Sequence, residues 1–127
     1  MDLKELQKAA HQHALVKGFW EETERVEQVG EDGVPTSVPT VAEKLMLIVS
    51  EAAEALEDYR EAEDLADLQL SHFDASGKPC GFPSELADIV IRVADLAEKL
   101  DIDLDNEIQI KMAYNAKRAF KHGGKKL

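Results

Sequence analysis

Two short stretches place carboxylates at helical spacing among apolar residues. In "IVSEAAEALEDYREA", residues 48 to 62, Glu51 and Glu54 are three apart and Asp58 continues their line. In "SELADIVIRVADL", residues 84 to 96, Glu85 and Asp88 repeat the spacing, with Arg92 and Asp95 following on the same face. Residues three or four apart share one side of a helix. Glu51 is the least ordinary of these acids, because Leu47 and Ala55 flank it four residues away and Ile48 lies three residues back. One E-x-x-E alone is weak evidence, and Glu54 or Asp58 taken singly reads as solvated surface. Two such pairs, each at the margin of an apolar helix, read differently. If the two helices pack side by side, four carboxylates converge. They repel one another and take up protons unless cations intervene. Hard oxygen donors suit Mg²⁺ or Mn²⁺, which keep waters and bridge to substrate phosphates. The expectation is a divalent-metal site set in the wall of a helical bundle.

A di-iron carboxylate bundle is the main structural competitor, and it needs Glu-x-x-His on two helices. None of His11, His13, His72 and His122 has a Glu three positions before it. His11 and His13, two apart, point to different sides of a helix. The iron reading falls.

Charge is distributed unevenly. The chain of 127 residues carries a net charge of −11, which argues against general binding to nucleic acid. All 26 acidic residues lie before residue 108, while Lys111, Lys117, Arg118, Lys121, Lys125 and Lys126 follow it. Lys111, Asn115 and Arg118 fall at i, i+4 and i+7, one continuous helical face. Lys and Arg there suit phosphate oxygens, Arg bidentately, and Asn115 adds a neutral hydrogen bond. The plainer reading is a basic helix end that suits the dipole.

The elements that must position these residues are helical throughout, and no alternating strand is evident. The first helix is expected from Leu3 to Lys17, with Gly18 as its stop, followed by a Gly- and Pro-bearing loop over residues 18 to 38. The second begins at "TVAE", with Thr40 as cap and Glu43 completing a capping box, and reaches Tyr59 or Ala62. Residues 63 to 83 end in the loop "DASGKPCGFP". Ser84 is expected to cap a third helix to Leu100, and a fourth spans roughly Asp105 to Phe120. Helices two and three are apolar around most of their circumference, so they need cover on more than one side. A symmetric homo-oligomer is the simplest cover. The lone Cys80 forms no intrachain disulfide, the longest aliphatic run is "LMLIV", and the N-terminus is charged. One all-α domain over residues 1–127, cytoplasmic and away from membranes, is the expectation.

Together, "SEAAEALEDYR", "GKPCGFPSELADIVIRVADLA" and "KMAYNAKRAFKHGGKKL" resemble the MazG-like all-α nucleoside triphosphate pyrophosphohydrolases. The resemblance runs from "HQHALVKGFW" to the tail and rests on E-x-x-E, E-x-x-D and K-x-x-x-N-x-x-R together. It implies a four-helix, bundle-like MazG-type domain, dimeric or tetrameric. It also implies Mg²⁺ held by Glu51, Glu54, Glu85 and Asp88, with a nucleoside triphosphate split into monophosphate and pyrophosphate. Glu51 or Glu54 would double as the base that orients water, and Lys111, Asn115 and Arg118 would bind the substrate. His11 and Trp20 resemble positions near the nucleotide in some relatives, though a lone Trp near a helix end is as often a core plug. Two departures stand out. Thirty residues, 55 to 84, separate Glu54 from Glu85, at or beyond the long end of the family spacing. Ala55 stands where dimeric dUTPase relatives tend to carry another Glu, which lowers the expectation of dUTP as substrate. An alternative from another class is a non-catalytic helical oligomer that binds nucleotides or a protein partner through the same faces.

Overall fold

A computed structural model describes residues 1–20 and 38–118. The first helix, α1 (Leu3–Val16), starts where the Asp2 side chain accepts the amide of Glu5 at 2.8 Å. It stops as expected at Gly18, whose φ of 79° lets Phe19 N–H reach back to Ala14 O and Gly18 N–H to Leu15 O. That pair of bonds is the usual left-handed helix stop, which glycine adopts without strain.

Helix α2 spans Val38–Glu61, so it begins two residues before Thr40. Thr40 therefore lies inside the first turn and is not the cap. Pro39 next to the helix start is tolerated because the first amides have no intrahelical acceptor. A short turn of helix, α3 (Leu65–Leu68), follows, capped by Asp64. Strands β1 (His72–Phe73) and β2 (Pro79–Cys80) then form a minimal antiparallel hairpin, with His72 opposite Cys80 and Phe73 opposite Pro79. The periodicity gave no sign of it, because two residues per strand are too few to show alternation.

Helix α4 (Phe82–Lys99) starts three residues earlier than a cap at Ser84 would place it. Gly81 is the N-cap residue, Pro83 sits in the first turn, and the Ser84 hydroxyl bonds back to Pro79 O at 3.3 Å. Gly81 has φ 105°, and a Cβ there would meet Leu70 O at 3.1 Å, so both backbone conformation and space favour glycine. Asp101, with φ 55°, closes α4, and Ile102 N–H reaches Ala97 O at 2.9 Å. Helix α5 (Leu104–Ala116) is capped by Asp103, whose side chain accepts from Asn106 N–H at 3.1 Å.

The architecture is an all-α bundle with α4 at its centre, packed against α1 and against α2. Small residues let these helices approach: Ala10 and Ala14 on α1, Ala55 on α2, and Ala94 and Ala97 on α4 are buried. Ala14, Trp20 and Leu96 form the core, with Val41 and Ile48 packed on it. The buried Gln7 joins α1 to the α4–α5 turn: its amide donates to Ile102 O at 2.9 Å and accepts from Leu104 N–H at 3.1 Å. Helix α5 touches α1 and buries none of its own residues, so within one chain it is an outrigger to the bundle. No helix among the described residues is long and apolar enough to cross a membrane.

Candidate metal and phosphate site

The α2–α4 packing brings the two acid pairs together. One carboxylate oxygen from each of Glu51, Glu54 and Glu85 lies within 4.8 Å of the other two. Asp88, one turn along α4 from Glu85, faces the same cavity of about 430 Å³. The acids within each pair are three positions apart, so one contact between α2 and α4 places both turns at once. Glu51 is half-buried and Glu54 exposed.

The electrostatics are those of crowded acids. Glu85 is pushed up to about 7, first by burial, then by hydrogen bonding to Glu51 and by repulsion from Glu54, Glu51 and Asp88. Its Oε2 is buried without a hydrogen-bond partner. Burial and the Glu51 charge also raise Asp88, while Arg92 and Lys78 pull it back. Arg92 is the cation built into the group, donating from Nε to Glu51 Oε1 at 3.0 Å.

A divalent cation fits this donor set. Four hard oxygen donors are grouped at one cavity, one buried oxygen lacks a partner, and the excess negative charge shows itself in raised proton affinities. Glu51, Glu54, Glu85 and Asp88 would hold it.

The remaining sequence-predicted residues are placed less uniformly. His11 and Trp20 come together on Asp95: His11 Nδ1 is 2.8 Å from Asp95 Oδ1, and the Trp20 indole N–H lies 2.9 Å and 3.1 Å from its two oxygens. Trp20 is 1% exposed, with His11 edge-on to its ring and Lys44 at 4.6 Å above it. In this fold the indole is a core side chain. Asp95 lines the acid cavity from the far side of this cluster. Lys111 and Asn115 lie on exposed α5, but the helix ends at Ala116, short of the Phe120 expected, so Arg118 stands beyond it and the predicted single helical face does not reach it. Lys111 and Arg118 sit near the Tyr114 ring, and none of the three lines the cavity.

Three features escaped the sequence reading. Asp95 was visible only as the next acid along the α4 face. Its role as acceptor for both His11 and Trp20 depends on how α1 packs. Lys17 and Lys78 line the cavity from the residue after α1 and from the β1–β2 turn, and no spacing rule links either to the acids. Comparison with family models, curated proteins and solved structures finds no significant match to this chain.

Proposed function

We propose that this chain is a metal-dependent nucleoside triphosphate pyrophosphohydrolase of the MazG-like kind, releasing a nucleoside monophosphate and pyrophosphate. The convergence of Glu51, Glu54 and Glu85 at a cavity shared with Asp88 carries the reading. The resemblance of the paired acid motifs supplies the reaction class. Mg²⁺, or Mn²⁺ in its place, is the proposed cofactor, and nucleotide-pool housekeeping in the cytoplasm is the proposed role.

A divalent ion bound there supplies charge for phosphate oxygens and lowers the pKa of a bound water. The chain's own residues do the rest. Glu51 is engaged by Arg92, which fixes its orientation. The Glu54 side chain is exposed and makes no hydrogen bond among the described residues. We therefore assign to Glu54 the acceptor role that orients the attacking water. Burial and the neighbouring acids push Glu85 up to about 7, so any proton it carries below that pH must leave before its carboxylate can serve as a ligand.

Lys111, Asn115 and Arg118 keep a phosphate-binding role in this proposal only as a contribution from a second subunit. The proposed homodimer or homotetramer supplies that subunit, and it would also cover apolar side chains such as Met46, Val49, Val90 and Ile91, each exposed in the single chain. His11 does not line the cavity and would act on the site only through Asp95, to which it is tied.

A panel of nucleoside triphosphates assayed for pyrophosphate release, with and without Mg²⁺, tests the proposal. Metal-dependent release from at least one of them is expected. Binding without turnover across the panel would favour a non-catalytic nucleotide-binding oligomer.

A further inference from the structure

The acid cavity poses a problem that its carboxylates do not solve. A polyphosphate approaching four acids is repelled unless cations stand on its far side as well as among its ligands. The basic face of α5 does not line the cavity, and Arg92 is already engaged by Glu51. Two other cations do line it. Lys17 projects from the residue after α1, and Lys78 comes from the turn between β1 and β2.

Lys78 is presented on a rigid platform. Asp74 Oδ1 accepts the amides of Ser76 at 2.8 Å and Lys78 at 3.0 Å, and Asp74 N–H donates to Lys78 O at 3.0 Å. The Ser76 hydroxyl bonds to the same Asp74 oxygen, and these contacts hold the Asp74 carboxyl below its ordinary pKa. At the other end, the Ser84 hydroxyl ties Pro79 O to the first turn of α4, the helix that carries Glu85 and Asp88. The Lys78 backbone is thus fixed relative to two of the acids, while its side chain makes no ion pair among the described residues. A fixed stem whose ammonium group acts on Asp88 and Asp74 through space, without closing an ion pair on either, is the arrangement expected of a ligand contact.

We propose that Lys78, carried to the acid cavity by the hairpin, and Lys17, next after α1, are the polyphosphate-binding cations that the chain itself supplies to this site. The inference rests on the pyrophosphohydrolase reading for its substrate. It gives the long connection between Glu54 and Glu85 a purpose: the connection delivers to the cavity a second cation beside Arg92, which Glu51 already engages. Lys17 and Lys78 reach the cavity from separate elements, so an anion bound there would meet a cation from each. The leaving pyrophosphate is the part of the substrate that they would contact.

Calorimetric titration of inorganic tripolyphosphate into the full chain, with Mg²⁺ in excess, tests this without depending on turnover. Lys78→Ala and Lys17→Ala should each weaken binding about tenfold, as expected for loss of one charge-assisted contact. Lys78→Arg should stay within about threefold of the wild type. The turn is held by backbone groups and by the side chains of Asp74, Ser76 and Ser84, so Lys78→Ala should keep the wild-type melting temperature. Lys17→Ala, on a different element, gives an independent reading. Unchanged affinity in both alanine variants, or no tripolyphosphate binding by the wild type, overturns the proposal. Lysine-dependent binding in a chain that hydrolyses no triphosphate would instead sink the pyrophosphohydrolase reading and leave the anion site standing.

Discussion

Arg92 Nε donates to Glu51 Oε1 at 3.0 Å across the α2–α4 contact, joining the two acid pairs through one guanidinium. Glu51 is the more enclosed partner, at 12% side-chain exposure against 37% for Arg92. In the metal-free protein this bond offsets part of the repulsion among the acids, and removing one partner of an enclosed ion pair strands the other. Arg92→Met should therefore lower the urea-unfolding free energy of the metal-free protein by about 1–3 kcal/mol, discounted from a fully buried pair because Arg92 reaches solvent. Saturating Mg²⁺ should recover much of that loss. Unfolding curves that overlay those of the wild type in the absence of metal would mean that the guanidinium does not support the cluster.

Glu54→Gln isolates the chemistry from the fold. The side chain is exposed and holds no other element in place, so helicity by circular dichroism should be unchanged. It replaces a charged ligand and water acceptor by a neutral amide of the same shape. Turnover should fall by at least a hundredfold, about 2.7 kcal/mol of barrier. Activity within about threefold of the wild type would remove Glu54 from the reaction and with it the assigned water-orienting role.

Glu85 gives the cluster a pH signature. Its folded-state pKa of about 7 stands above the 4.5 of an ordinary glutamate. Below pH 4.5 both folded and unfolded chains hold this proton, so it contributes no difference. Between about 4.5 and 7 the unfolded chain releases the proton while the folded chain retains it. Folding stability from this group therefore falls as pH rises through that window and is lowest above it. Melting temperatures of the metal-free protein should decline from pH 5 to pH 7.5, and Glu85→Gln should flatten the decline. Mg²⁺ binding requires the deprotonated cluster, so its melting shift should be larger at pH 7.5 than at pH 5.5. A metal shift independent of pH would separate Glu85 from the ligand set.

Much of this site was legible because helix periodicity fixes relative position along one element. The two acid pairs, the Gly18 stop and the all-α class all follow from local spacing, and packing α2 against α4 needed only their apolar faces. What was not legible depends on packing between distant segments. Asp95 acquires its meaning from His11 and Trp20, more than seventy residues away, and Gln7 from the turn at residues 102 to 104. The helix starts were misplaced for a local reason: Thr40 and Ser84 are good caps in isolation, but each follows a Pro that the helix accepts in its first turn. The hairpin was invisible because its stability comes from Asp74 and from Gly81, not from strand pattern.

Helix α5 leads to the prediction that bears on assembly. It carries Ile110, Met112 and Tyr114 exposed at 55–66%, beside Lys111 and Arg118, and it buries none of its residues in the single chain. On the bundle itself Met46, Val49 and Val90 are more than half exposed as well. Apolar side chains exposed in such number on a small chain are the motive for the proposed oligomer. Light scattering at micromolar concentration should give at least a dimer. If α5 of one subunit serves the acid cavity of another, Glu54→Gln and a Lys111→Ala, Arg118→Ala double variant should each be inactive alone yet complement when co-refolded. In a dimer mixed at random, half the molecules carry one variant of each kind, and one of their two sites is intact. Recovery of about a quarter of wild-type turnover is then expected from the symmetry of the assembly. A folded monomer would end the oligomer reading. An oligomer showing no recovery would confine Lys111 and Arg118 to a role outside the neighbouring site, leaving the phosphate contacts to cations of the same chain.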